Sequence, residues 1–171
     1  MKALNFRQWI DEHRHLLKPP VGNAQIWTGD RDFMVTVVGG PNARTDYHIN
    51  EGEEFFYQIE GDIVLRILEP GSQGKPVDVP LKQGDIFLLP PHTPHSPQRP
   101  ANTVGLVIER RRDAKEKDTF LWVCDGCGHE LYRETFHLTD LVSQLPPVFA
   151  RYWGNPAHTT CSSCGRKHEK H

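Results

Sequence analysis

The sequence predicts an all-β protein, a double-sheet jelly roll or barrel, with a short helix ahead of it and a small metal-binding appendage behind it. Three observations carry this. Between Gln25 and Arg110 the chain breaks into short runs rich in Val, Ile, Phe and Leu, parted at fairly regular intervals by Gly, Pro, Asn and Asp. No strand–helix–strand alternation is visible in that region, which argues against a parallel α/β sheet. Beyond it the four cysteines arrive as two C-x2-C pairs, Cys124/Cys127 and Cys161/Cys164. In a reducing compartment that spacing belongs to a metal site rather than to disulfides.

Taken in order, Asn5 is a helix N-cap, and Phe6, Trp9, Ile10, His13 and Leu17 share one helical face before Pro19-Pro20. The spacing predicts an amphipathic helix over 5–17, docked on the main body. The strand candidates are Gln25–Trp27, Phe33–Val38, Asp46–His48, Glu54–Glu60, Ile63–Leu68, Pro76–Leu81, Ile86–Leu89 and Val104–Arg110. The turn Asn50 to Gly52 predicts a hairpin, and Gly61-Asp62 a second. PGSQGKP, residues 70–76, reads as an exposed loop. The charged run ERRRDAKEKD, Glu109 to Asp118, reads as a solvated exit from the barrel, its basic half a wet surface. It divides a body of residues 1–112 from a segment of residues 113–171. In that segment Phe120–Val123 and Glu130–Thr135 form a small hairpin, and Thr139 to Leu145 one or two helical turns halted by Pro146-Pro147. His168 and His171 fall in a frayed polar end.

A chain of 171 residues is long enough for one domain with a sizeable core and a small appendage. Its 20 basic and 22 acidic residues leave a net charge of −2, and no Lys/Arg patch is interleaved with aromatics. This argues against a nucleic-acid partner. No apolar run approaches the roughly 20 residues that span a bilayer. The start, MKALNFRQWIDEHRH, carries charges every few residues and no apolar leader, so a cytoplasmic protein is expected.

The chemistry centres on Gly40 to Gly61, GPNARTDYHINEGEEFFYQIEG, which sets His48 and the pair Glu53/Glu54 on either side of a short turn. Across a hairpin, His48 meets one of the two acids. A second stretch, GDIFLLPPHTPHSPQR, runs into a Pro-studded loop that supplies His95. Two imidazoles and one carboxylate with open positions left over form the facial triad of non-haem Fe(II) oxygenases. The four cysteines are a different kind of site. Four thiolates suit Fe or Zn alike, and closed coordination leaves no room for substrate, so they predict a structural staple.

These residues resemble a known family. Gly40-x5-Asp46-x-His48-x5-Glu54-x6-Gly61 is similar to the first cupin motif, with Asp46 where that motif has a histidine. Gly84-x5-Pro90-x-His92-x2-His95-x3-Arg99 is similar to the second, with His92 in place of a glycine and Arg99 in place of an asparagine. The motif register picks Glu54 over Glu53 and His95 over His92. Over nearly the whole chain, the strings KPPVGN, TVVGGPN, RTDYH, EEFFYQ, GDIFLLPPH, HSPQRP and LVIER, followed by two C-x2-C-G knuckles, resemble bacterial 3-hydroxyanthranilate 3,4-dioxygenases.

The resemblance implies a cupin jelly roll with a rubredoxin-like appendage, a homodimer, Fe(II) on His48, Glu54 and His95, and iron rather than zinc on the cysteines. It implies Arg99 as the clamp on the substrate's carboxylate, the bidentate fork that guanidinium offers an acid. It places Glu54 and Glu109 against substrate, with Glu109 accepting a proton as the ring hydroxyl binds, and Arg44 beside dioxygen, where a fixed cation stabilises developing negative charge. Asp46 would orient Arg44 or a ligand histidine, and Val21 and Asn23 would border the pocket. The implied reaction inserts both atoms of dioxygen between C3 and C4 of the ring. The product, 2-amino-3-carboxymuconate 6-semialdehyde, is a precursor of quinolinate, in NAD biosynthesis or in tryptophan or nitroaromatic catabolism. The rival readings are another cupin dioxygenase or a metal-dependent isomerase of the same fold, and a non-catalytic cupin sensor or zinc-ribbon adaptor.

Overall fold

The structure, a computed structural model, describes residues 2–19, 22–29 and 31–169; Pro20, Val21 and His171 lie outside the described residues. The first helix, α1, runs Phe6–His13, with the Asn5 side chain accepting from the Gln8 N–H at 3.0 Å. A 3-10 turn, Arg14–Leu17, completes the expected amphipathic element. Trp9, Ile10 and Leu17 are buried against Val37 and Val104, so this element covers the outer face of a sheet.

The strands are β1 Asn23–Gln25, β2 Phe33–Gly39, β3 Tyr47–Ile49, β4 Glu54–Glu60, β5 Ile63–Ile67, β6 Val77–Leu81, β7 Ile86–Leu89, β8 His95–Gln98, β9 Val104–Arg110, β10 Asp118–Val123 and β11 Glu130–Phe136. They form two antiparallel sheets, β1-β2-β9-β4-β7 and β11-β10-β3-β8-β5-β6. Phe56, Leu89 and Val107 of the first sheet pack on Ile63, Leu65 and Leu81 of the second, and this is the core of the jelly roll. Each such side chain contributes roughly 1.5–3 kcal/mol by leaving water.

Both predicted hairpins are corrected by the sheet order. The Asn50–Gly52 turn carries the chain from β3 in one sheet to β4 in the other, and Gly61-Asp62, with Gly61 at φ 65°, carries β4 back across to β5. A short turn fixes only that the chain reverses; whether its arms pair depends on which other strands take their edges. Here β3 is held by β8 and β10, and β4 by β7 and β9.

A strand absent from the sequence reading is β8, where the expected loop contains Pro97. In a strand a residue's N–H and C=O point to the same side. Pro97 C=O accepts from Asn42 Nδ2 at 2.8 Å rather than from a strand, so its missing N–H costs no ladder bond. The β3 ladder reaches β8 only through His48↔His95.

The expected division at residue 112 falls between β9 and β10, and β10 pairs with β3 while β11 pairs with β10, extending the second sheet. These two strands are covered by α2, Leu141–Trp153, which contains Pro146 and Pro147. The expectation that these prolines halt the helix is corrected. Two prolines forfeit helical bonds, but Val148 and Tyr152 beyond them are buried against Phe120 and Trp122, and Trp122 stacks on Tyr152 with centroids 4.3 Å apart. That aromatic packing outweighs the loss. A last turn, α3, Pro156–Thr159, leads to the second cysteine pair. Its neighbour His168 is bonded to the Tyr152 hydroxyl rather than frayed. Among the described residues no helix is long and apolar enough to cross a membrane.

Candidate active site

Three sequence-predicted residues converge between the sheets. His48 of β3 and His95 of β8 are directly opposed in the second sheet, and Glu54 of β4 faces them from the first. One ligand atom from each lies within 4.8 Å of the others, and all three residues are buried. His48 and Glu54 therefore meet as expected, but across the sandwich rather than along a hairpin. Glu53 is exposed, so alternation along β4 decides between the two acids.

The imidazoles are oriented from behind. His95 Nδ1 donates to Thr93 C=O at 3.0 Å, which leaves Nε2 as the lone-pair nitrogen, 3.3 Å from Glu54 Oε1. His48 Nε2 donates to Asp118 Oδ2 at 2.6 Å, which turns Nδ1 toward Glu54 Oε1 at 3.5 Å. Burial opposes charge on His48, yet Asp118 and Glu54 outweigh it and lift the ring to about 9. Burial likewise opposes charge on Glu54, but His95 and His48 hold its carboxyl well below the usual range. A cation is what this cluster of acids and imidazoles demands. One carboxylate and two ring nitrogens converging on one point fit a ferrous ion, with the acid–histidine pair behind it fixing ligand orientation.

Sequence reasoning missed Asp118, which it took as the end of a solvated run. Asp118 is completely buried and opens the apolar run TFLWV. A lone acid on the buried face of such a run must find a partner, and that was the available signal. Arg112, assigned to a wet surface, is a second correction. It pairs with Asp118 at 2.7 Å and with Glu109 at 2.6 Å, both from a side chain 9% exposed. Against its own burial, Asp118 and Glu109 hold Arg112 above its ordinary value.

Glu109 lies directly opposite Glu54 on the β4–β9 ladder, and Asn50 Nδ2 donates to both, at 2.9 Å to Glu54 and 3.3 Å to Glu109. Burial and the neighbouring Glu54 raise the Glu109 carboxyl. Arg44 is ion-paired to the buried Asp46, with Nε 3.3 Å from Oδ1. Burial works against its charge, but Asp46 outweighs it and raises the guanidinium. Arg99 is 3% exposed, and among the described residues no carboxylate pairs with it. Burial and Arg44 push it down to about 10, still charged at neutral pH. His92 has φ 59°, which explains why it can stand where the motif has glycine: the position requires the left-handed region. Asn23 lies on β1 at the far edge of the first sheet. A surface cleft of about 810 Å³ beside Trp27, Arg31 and His137 does not include the three converging residues, though it is lined by Arg112, the partner of Asp118.

The second centre is equally defined. Cys124, Cys127, Cys161 and Cys164 converge, with Sγ–Sγ separations of 3.6 Å for Cys124/Cys164 and for Cys127/Cys161. Sulfurs about 2.3 Å from a tetrahedral ion lie about 3.8 Å apart, so the spacing fits a tetrathiolate metal and not a disulfide. Each knuckle closes the same way: Gly128 N–H donates to Cys124 C=O at 2.7 Å and Gly165 N–H to Cys161 C=O at 2.9 Å, both glycines at φ 74°.

The family described as 3-hydroxyanthranilic acid dioxygenase matches residues 1–153. Proteins named 3-hydroxyanthranilate 3,4-dioxygenase from Ruegeria pomeroyi and Paraburkholderia phytofirmans are 53% and 54% identical, each over 98% of this chain and over 92% and 94% of their own lengths. One from Xanthomonas euvesicatoria is 50% identical over 96% of this chain and 91% of its own. Among solved structures, a cupin-2 domain protein from Shewanella frigidimarina aligns with a TM-score of 0.49 and 16% identity over 64% of this chain and 95% of that one. Matched along almost its full length at half identity or better, this chain belongs to the 3-hydroxyanthranilic acid dioxygenase family.

Proposed function

We propose that the protein opens the ring of 3-hydroxyanthranilate with dioxygen, between C3 and C4, using Fe(II) held by His48, Glu54 and His95. The observation that carries this is the pairing of two opposite demands in one interior: a buried acid–imidazole set that calls for a cation, and a buried Arg99 that calls for an anion. An ortho-aminophenol with a carboxylate offers a chelating edge to the first and an acid to the second. When bound, ferrous iron supplies open coordination positions and the electron exchange that lets an aromatic ring react with triplet dioxygen.

The chain's residues do the rest. Arg99 binds the substrate carboxylate, whose burial without a cation would cost several kcal/mol. Glu109, raised in pKa and held by Asn50 and Arg112, takes the proton of the ring hydroxyl. Arg44, fixed by Asp46, stabilises negative charge that develops on the oxygen side. Asp118 keeps His48 in one tautomer. The tetrathiolate centre, filled with iron, staples the tail and takes no part in electron balance, because dioxygen accepts four electrons from the substrate and both its atoms end in the product. A cytoplasmic homodimer making a quinolinate precursor belongs to the same reading; Ile86 and Leu88, 66% and 54% exposed on β7, supply apolar surface for a partner subunit.

The test is oxygen uptake by anaerobically purified, Fe(II)-loaded protein on addition of 3-hydroxyanthranilate, followed with the absorbance of the ring-opened product. Equal consumption of oxygen and substrate is expected. No uptake by iron-loaded protein overturns the reading.

A further inference from the structure

We propose that Gln58 and Gly105 form a seat that aims Arg99 at the substrate's carboxylate, and that this seat sets the preference of the site for a ring acid over the same ring without its acid. The inference rests on the reading of Arg99 as the carboxylate clamp and names what holds it.

Side chains two apart on a strand share a face. The inward row of β4 is Glu54, Phe56 and Gln58; that of β9 is Glu109, Val107 and Gly105, and the register opposes them pair by pair. The row thus runs from two acids, through buried Phe56 and Val107, to Gln58 and Gly105. At about 3.3 Å per residue, the two ends are about 13 Å apart along the strand. From the other sheet, His95 faces the acid end, and Arg99, four residues on, shares the seat with Gln58 and Gly105.

Gln58 is 1% exposed. Its Nε2 donates to Glu60 C=O at 2.9 Å and Gly61 C=O at 3.0 Å, two acceptors that forbid the flipped amide. The register shift between Gln58 and Glu60 accompanies this local arrangement of carbonyls. With the nitrogen so committed, Oε1 is left to accept from Arg99 Nη1 at 3.3 Å.

Gly105 provides the space. A Cβ there would lie 2.8 Å from Arg99 Nη1 and 2.9 Å from Gln58 Oε1. Glycine weakens a strand interior, and close approach by another group is the reason to keep it. The seat is also neutral: a glutamine orients the guanidinium without neutralising it, so its charge is left for a ligand. An acid in this place would have paired with Arg99 internally.

The experiment is anaerobic equilibrium binding to Fe(II)-loaded protein of 3-hydroxyanthranilate and of 2-aminophenol, the same ring without the carboxylate. It compares the unmodified protein, Gln58→Met and Gly105→Ala, with iron content and Tm recorded for each. The unmodified protein is expected to prefer the acid, and each variant to lose that preference by about tenfold or more, the scale of one charge-assisted hydrogen bond. A variant that weakens both ligands equally, or neither, overturns the seat, since a merely structural role would not change the ratio. Gly105→Ala decides the matter if Gln58→Met fails to fold. Binding that prefers the acid in a protein that opens no ring overturns the proposed function and leaves the ratio to judge the seat. Ring opening with unaltered ratios in the variants overturns the seat alone.

Discussion

Arg99 and Asp118 are the residues on which the candidate site turns, one a buried cation with no acid partner among the described residues and the other a buried acid behind a histidine. Arg99→Ala removes the counter-charge for substrate; we expect its Kd for 3-hydroxyanthranilate to rise by about 10–100-fold, with metal content at His48, Glu54 and His95 unchanged. Calorimetry and metal analysis on one sample check both halves, and loss of metal would place Arg99 in the wrong shell. Asp118→Asn keeps a polar partner for His48 but removes its charge, and metal affinity should fall about 10–100-fold in competition with a chelator. His48, Glu54 and His95 were legible because motif spacing marks them, and Arg99 because the family resemblance points to it. Asp118, Arg112 and Gln58 were not, because each is recognised only by what a neighbouring strand sets against it.

At the scale of elements, the two cysteine knuckles make a controlled comparison. Gly128 and Gly165 share φ 74°, but a Cβ on Gly165 meets open space, while one on Gly128 would sit 1.9 Å from Gln73 C=O. Gly165→Ala should therefore cost only the left-handed backbone term, about 1–2 kcal/mol. Gly128→Ala should cost that and about 1–3 kcal/mol more for overpacking. Urea unfolding of the two variants measures the difference, and equal losses would mean that the 70–76 loop does not press on the first knuckle. This contact also qualifies the reading of that loop as simply exposed: Gly74 packs against Gly128. The β-rich runs from Phe33 to Arg110 were readable from alternation and turn residues. Strand β8 and the length of α2 were hidden by their prolines, whose cost depends on which neighbours replace the missing bonds.

For the whole molecule, an aromatic cluster under α2 packs the tail, and the four converging cysteines bring the turn between β10 and β11 to the last residues. Cys161→Ser should lower unfolding stability by a few kcal/mol, because metal binding free energy is folding free energy at such a site. Ring-opening activity at low temperature and metal at the three-ligand site should persist; a thermal melt and metal analysis check this, and loss of both metals together would join the centres into one unit. By itself the sequence determined the fold class and the two sets of side chains with metal-ligand chemistry, His48, Glu54 and His95 and the four cysteines, since composition, period and spacing are properties of the chain. Only the tertiary structure decided that His48 and Glu54 meet across two sheets, that Asp118 and Arg112 lie behind them, and that Arg99 rests on a neutral seat. Those facts come from the pairing of strands distant in sequence, and that pairing follows from the burial of all their apolar faces at once.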